Sequence, residues 1–201
     1  CLNKLDKEAR AAFHKAIDIK PEYAEAYNNL GDALRIPILT MKKVDKAFAN
    51  YHFAGLLKGL AIRPNSAEAH SDLGIALQKE EKLDLAIASF QKAIDIKPDH
   101  ADAHYHLGNT LKELGQHDEA ISSYHKALSI KPNYAEAHSN LSVALREMGQ
   151  LEEAIVSSHK ALAIRPDYAR ANYNLGNALK DLGQLDEAVT RYLKVLAIKP
   201  D

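Results

Sequence analysis

The chain has 201 residues with 26 basic and 27 acidic side chains, a formal charge of −1, so it lacks the broad basic field that nucleic acid or an anionic membrane surface requires. Its one cysteine, Cys1, excludes an intrachain disulfide and argues against a buried catalytic thiol. There is no visible signal peptide, no apolar run near the roughly 18 residues of a membrane helix, and no glycine-rich phosphate loop or nucleophile elbow.

The sequence copies itself. The stretch Ala101 to Pro132 returns at Ala67 to Pro98, Ala135 to Pro166 and Ala169 to Pro200, and prolines at 64, 98, 132, 166 and 200 close successive units at a step of 34 residues. Such a period signals a helical repeat array.

In chain order, residues 1–23 read as a lone second helix, with Ala9, Phe13, Ala16 and Pro21 in the slots that later units fill the same way. A chain opening on cysteine also suits a mature lipoprotein, but a half-unit at the start favours a segment of a longer chain. Residues 24–66 form a unit with an insertion, since Pro21 and Pro64 stand 43 residues apart, nine more than the period. Within it, Ile36, Pro37, Ile38, Leu39 and Met41 bring an apolar corner where other units have a Gly-Gln turn. That corner either folds inward with Val44, Phe48 and Phe53 or is offered to a partner.

Residues 67–100, 101–134, 135–168 and 169–201 follow as four regular units. In the second of them Ala103, Leu107, Leu111 and Leu114 recur at helical spacing, Gly115-Gln116 interrupts, and Ala120, Ile121, Tyr124, Leu128 and Ile130 resume the period until Lys131-Pro132 stops it. Gly74, Gly108 and Gly176 mark a close helix approach, with Ala86, Ala120, Ala154 and Ala188 as the matching small residues. Ser142 replaces one such glycine and Ser158 replaces an aromatic, which predicts either a looser contact or a polar one. The last helix still carries the stripe Val189, Tyr192, Val195 and Leu196, so further protein or self-association through the uncapped terminal helices is expected to cover it.

The spacing His104-x2-Leu107-Gly108-x2-Leu111 followed by Ala120-x3-Tyr124, Ala127 and Pro132 resembles the tetratricopeptide repeat, and the same frame recurs from Tyr27, His70 and Asn172. The resemblance implies an all-α fold, a right-handed superhelical solenoid of antiparallel helix pairs running through 1–201. It also implies a cytoplasmic protein-interaction scaffold whose first helices line a groove for a peptide or partner helix.

Counting Ala101 as slot one, slots two, five, six, nine, twelve and thirteen share one polar face of each first helix, while slots three, seven, ten, eleven and fourteen pack. Slot six holds Asn29, Asp72, His106, Asn140 and Asn174. The array is similar to the superhelical arm of O-linked N-acetylglucosamine transferase and SPINDLY-like proteins, and the three asparagines resemble the asparagine ladder of the former, which implies that they hold a bound backbone. The bland reading is that Asn is simply common at this slot. Tyr105, Tyr173, Asn109 and Asn177 are expected to add stacking and hydrogen bonds. The alternative to a free-standing scaffold is the substrate-recognition arm of a longer glycosyltransferase-type enzyme, with no catalytic residue in this segment.

Slot two is acidic as Glu25, Glu68, Asp102 and Glu136, either a stripe for a basic peptide or part of a capping arrangement with Asn65, Asp99 and Asn133. Slot five lacks the lysine with which related domains grip carboxylate tails of heat-shock chaperones. His104 and His106 lie about 200° apart around a helix, so the histidines predict neither a metal nor a cofactor site. His106, standing in a groove slot, is expected to make binding pH-sensitive.

Overall fold

The computed structural model describes residues 56–57 and 59–198, so Asn29, the Ile36 to Met41 corner and the opening half-unit lie outside the described residues. The chain divides into two compact units, Cys1–Pro98 and Asp99–Asp201. The described residues are helical with short turns and contain no strand.

In the first unit, the end of a helix at 59–62 is followed by α1 (Ala67–Lys79) and α2 (Leu83–Ile96), packed on each other. The second unit holds α3 (Ala101–Glu113), α4 (His117–Ile130), α5 (Ala135–Glu147), α6 (Leu151–Ile164), α7 (Ala169–Asp181) and α8 (Leu185–Ile198). Here α3 pairs with α4, α5 with α6 and α7 with α8. Each second helix then packs on the next first helix, and neighbouring first helices touch directly. This is an all-α solenoid arrangement of antiparallel helix pairs.

The turns explain why each pair closes. Gly115, Gly149 and Gly183 take φ of 75°, 75° and 85°, a left-handed conformation that suits glycine. At the first of these turns Gly115 N–H donates to Lys112 O at 3.0 Å and Gln116 N–H to Leu111 O at 2.9 Å, which satisfies the last carbonyls of α3. Glu81 holds the equivalent place in the first unit at φ 58° with the same bond pattern, at a cost of about 1–2 kcal/mol relative to glycine.

Inside each pair, the first-helix glycine makes room for a ring. A Cβ on Gly74 would lie 2.5 Å from Phe90, one on Gly108 2.8 Å from Tyr124, and one on Gly176 2.7 Å from Tyr192. The aromatic four residues beyond the alanine fills that space, while Ala86, Ala120, Ala154 and Ala188 are buried beside it. In the α5–α6 pair, Ser158 Oγ donates to Ser142 Oγ at 2.8 Å with both side chains buried, so the polar contact is the one formed. Leu114, expected to pack, caps α3 and is 40% exposed.

Histidine ties the loop between units. His70 and His138 each place Nε2 3.0 Å from the carbonyl of the closing proline six residues back, Pro64 and Pro132. Burial lowers the pKa of His138 despite the Pro132 carbonyl, and the positive fields of Lys160 and His125 add to the effect. The unfolded chain therefore binds a proton at this position more readily than the native one, so stability is full above about pH 6.5 and falls as the pH drops below it. His138→Gln should flatten the decline of Tm between pH 7.5 and 5.5, followed by circular dichroism. An unchanged slope would remove His138 as its source.

Candidate interaction face

The first helices of the second unit bring slots five, six and nine to one face, and hydrogen bonds there run between helices. Tyr124 hydroxyl donates to Asn109 Oδ1 at 2.8 Å, and Asn140 Nδ2 donates to the same oxygen at 2.7 Å and to Tyr105 Oη at 3.2 Å. One repeat later, Asn174 Nδ2 donates to the Ser139 carbonyl and hydroxyl, both at 3.0 Å, and Tyr192 hydroxyl donates to Asn177 Oδ1 at 2.9 Å. In both cases slot six bonds slot five of the repeat before.

Asn140 and Asn174 are only 8% and 7% exposed, so their amino groups act as clamps between successive first helices. A buried amide suits that place because it bonds without carrying charge. The polar face predicted to be free is thus partly closed by its own neighbours. In the first unit Asp72 is half-buried and partnered. His106 is half-buried with its ring 5.0 Å from that of Tyr105, edge-on.

Tyr105 also packs at 4.8 Å, rings tilted, against Tyr134 at the N-cap of α5, whereas Tyr173, the same slot on α7, is 52% exposed. Burial raises the pKa of the Tyr105, Tyr124 and Tyr134 hydroxyls, which keeps them neutral.

The acidic row at slot two meets a basic residue at the end of the same unit. Glu68 pairs with Lys97 at 3.4 Å, Asp102 with Lys131 at 3.8 Å, and Glu136 with Arg165. Partial burial pulls the Glu136 pKa up, but the hydrogen bond and charge of Arg165 outweigh it and hold the carboxyl below its usual range. Lys131 and Arg165 also lie over the Tyr134 and Tyr168 rings at 4.1 and 4.6 Å. Each acid thus shares its charge with a base of its own repeat, while the Glu68 and Asp102 side chains stay exposed. The N-caps fall one residue later than expected, at Ser66, His100 and Tyr134, and Ser66 Oγ accepts from Ala69 N–H at 3.2 Å.

Two of these pairings have a column signal in the sequence. In the four regular units slot nine is Asn where the second helix has Tyr, as in Asn109 with Tyr124 and Asn177 with Tyr192. It is apolar where the ring has no hydroxyl or is missing, as in Ile75 with Phe90 and Val143 with Ser158. Slot two is acidic in the first three regular units, each with a Lys or Arg before the closing proline, but the fourth breaks the column with Arg170 at slot two and Lys199 before Pro200. On α8 the expected stripe is largely uncovered, with Val189 and Leu196 54% and 59% exposed. One repeat earlier, Ile155 and Leu162 are packed under Leu175 and Leu179. Among the described residues no group of three or more His, Cys, Asp or Glu is placed to hold a metal ion, and no helix is long and apolar enough to cross a membrane.

Helix pairs that bury little alone, stacked by a 34-residue period and joined through repeating slots, define an α-helical repeat protein. Tetratricopeptide repeat models match residues 101–134, 123–156 and 169–201, and a TPR repeat model matches 79–115 and 143–183. The chain belongs to the tetratricopeptide repeat family. Among solved structures it is similar to MamA, at 26% identity over 90% of this chain and 93% of that one with a TM-score of 0.73. It is also similar to YrrB, described as a TPR protein with an unusual peptide-binding site, at 26% identity over 94% and 93% with a TM-score of 0.71. The Cut9–Hcn1 assembly shares the fold, with a TM-score of 0.79 at 19% identity over all of this chain and 38% of that one. No curated protein matches the sequence.

Proposed function

We propose that the protein is an interaction module that holds a polypeptide segment of a partner against the first-helix face of residues 99–201. The observation that carries this is the row of aromatic and amide groups on that face. Tyr105, His106 and Asn109 on α3 and Tyr173 with Asn177 on α7 sit at equivalent slots, and Tyr173 is open to solvent. Rings give contact area at little entropic cost, and amides read a backbone without charge. Since Asn140 and Asn174 use their amino groups within the array, their Oδ1 atoms are what they offer to a partner's N–H groups. The similarity to YrrB, a TPR protein with a peptide-binding site, supports the same reading.

Peptides selected from a display library on the full chain provide the test. Tyr173→Ser should weaken them at least about tenfold while leaving Tm unchanged, because an exposed aromatic anchor contributes to binding more than to folding. Selected peptides that bind the variant as tightly as the parent would refute this face as the site.

A further inference from the structure

A second recess lies on the opposite side of the same unit, between second helices α4 and α6, with α5 beneath. Its volume is about 540 Å³. Leu128 and Leu141 give it an apolar lining, whereas the titratable side chains that line it, His125, His138 and Lys160, are all bases. Ser157 adds a hydroxyl; its equivalents Ser89 and Ser123 bond back to the carbonyls of Leu85 and Glu119. Desolvation first, and then the fields of Lys160 and His125, keep the buried His138 ring neutral, so Lys160 carries the fixed positive charge of the recess.

The recess continues along the helices into an adjoining hollow of about 420 Å³ that shares His125, Ser157 and Lys160. Ile121, Leu145 and half-exposed Val156 extend the apolar lining there, and Glu152 and Glu153 bring carboxylates to the N-terminal end of α6. The two hollows make one groove that is basic in its middle, acidic at one end and apolar along its length. None of this is used by the first-helix face.

We propose that this groove is a second docking site, for a partner's polypeptide segment that sets an Asp or Glu side chain between aliphatic residues. The carboxylate sits against Lys160 and His125, with the aliphatic neighbours over Leu128 and Leu141. Charge complementarity selects this occupant within the first recess, where Lys160 is joined by His125 and His138 and by no carboxylate, so an acidic side chain is attracted there and a basic one is held to the Glu152–Glu153 end.

The experiment uses the full chain and a fluorescein-labelled peptide with one Glu flanked by leucines, alongside its Glu→Gln version, read by anisotropy at low salt. The Glu peptide should bind at least tenfold tighter than the Gln peptide, and Lys160→Glu should reverse that preference without lowering Tm. Tyr173→Ser should leave this binding intact, so failure here and failure of the first-helix reading are separately visible. Equal binding of the two peptides, or indifference to Lys160→Glu, overturns the proposal. So would full displacement by millimolar inorganic phosphate, which would mark a small-anion site. A concentration-dependent dimer abolished by Lys160→Glu would make a second copy the occupant, and would also overturn it.

Discussion

Ser158→Tyr alone should lower stability by about 3 kcal/mol, and adding Ser142→Gly should restore at least the parent value. In the other described pairs the ring on the second helix lies where a first-helix Cβ would be, 2.5 to 2.8 Å away at closest. A tyrosine at 158 would therefore strike the Ser142 side chain and strip it of its hydrogen-bond donor. Ser142→Gly alone should cost about 2 kcal/mol, since it leaves the buried Ser158 hydroxyl unpaired and puts glycine inside a helix. Together the two changes recreate the glycine–tyrosine contact of α3–α4, so the cycle should show a favourable coupling of about 5 kcal/mol, both single losses recovered, in urea unfolding. Val143→Asn on that background should add about 1 kcal/mol by giving the new hydroxyl the acceptor that Asn109 gives Tyr124. Additive effects would mean that the two serines arose independently of any steric need.

Tyr124→Ala should destabilise the chain by about 3–5 kcal/mol, whereas Tyr124→Phe should cost only about 1 kcal/mol. Tyr124 is fully buried, its ring fills the space over Gly108, and its hydroxyl joins the bond network through Asn109 to Asn140. Alanine empties the space and breaks the network; phenylalanine breaks only one bond and reproduces the Phe90 ring of the first unit. Thermal melts of the two variants separate the contributions of ring and hydroxyl. A Tyr124→Ala loss below about 1 kcal/mol would show that α3 and α4 are held mainly by other contacts.

The asparagines at slot six show how far a sequence pattern reaches. Their recurrence is legible, and it resembles a ligand-holding ladder. Yet Asn140 and Asn174 each have partners in the preceding first helix, a role inside the array that needs no ligand. The acidic row at slot two behaves the same way. Seen on isolated helices it is a stripe, but in the folded unit its Glu68, Asp102 and Glu136 face Lys97, Lys131 and Arg165 at the far end of the same repeat.

The sequence by itself determined what depends on near neighbours along the chain. Apolar spacing set the helices, glycine set the turns at 115, 149 and 183, proline set the stops, and the 34-residue period set the family. Those signals act within a turn or two of backbone, so they can be read without knowing the fold. Only the tertiary structure decided where polar groups find their partners. Asn140 reaches a tyrosine 35 residues back, Ser158 a serine 16 residues back and Glu136 an arginine 29 residues on. It likewise opened the groove between α4 and α6, whose lining no single helix carries. A side chain on the outward face of one helix is solvated until another helix is stacked against it, and the stacking geometry turns that face into a clamp, an ion pair or an open site.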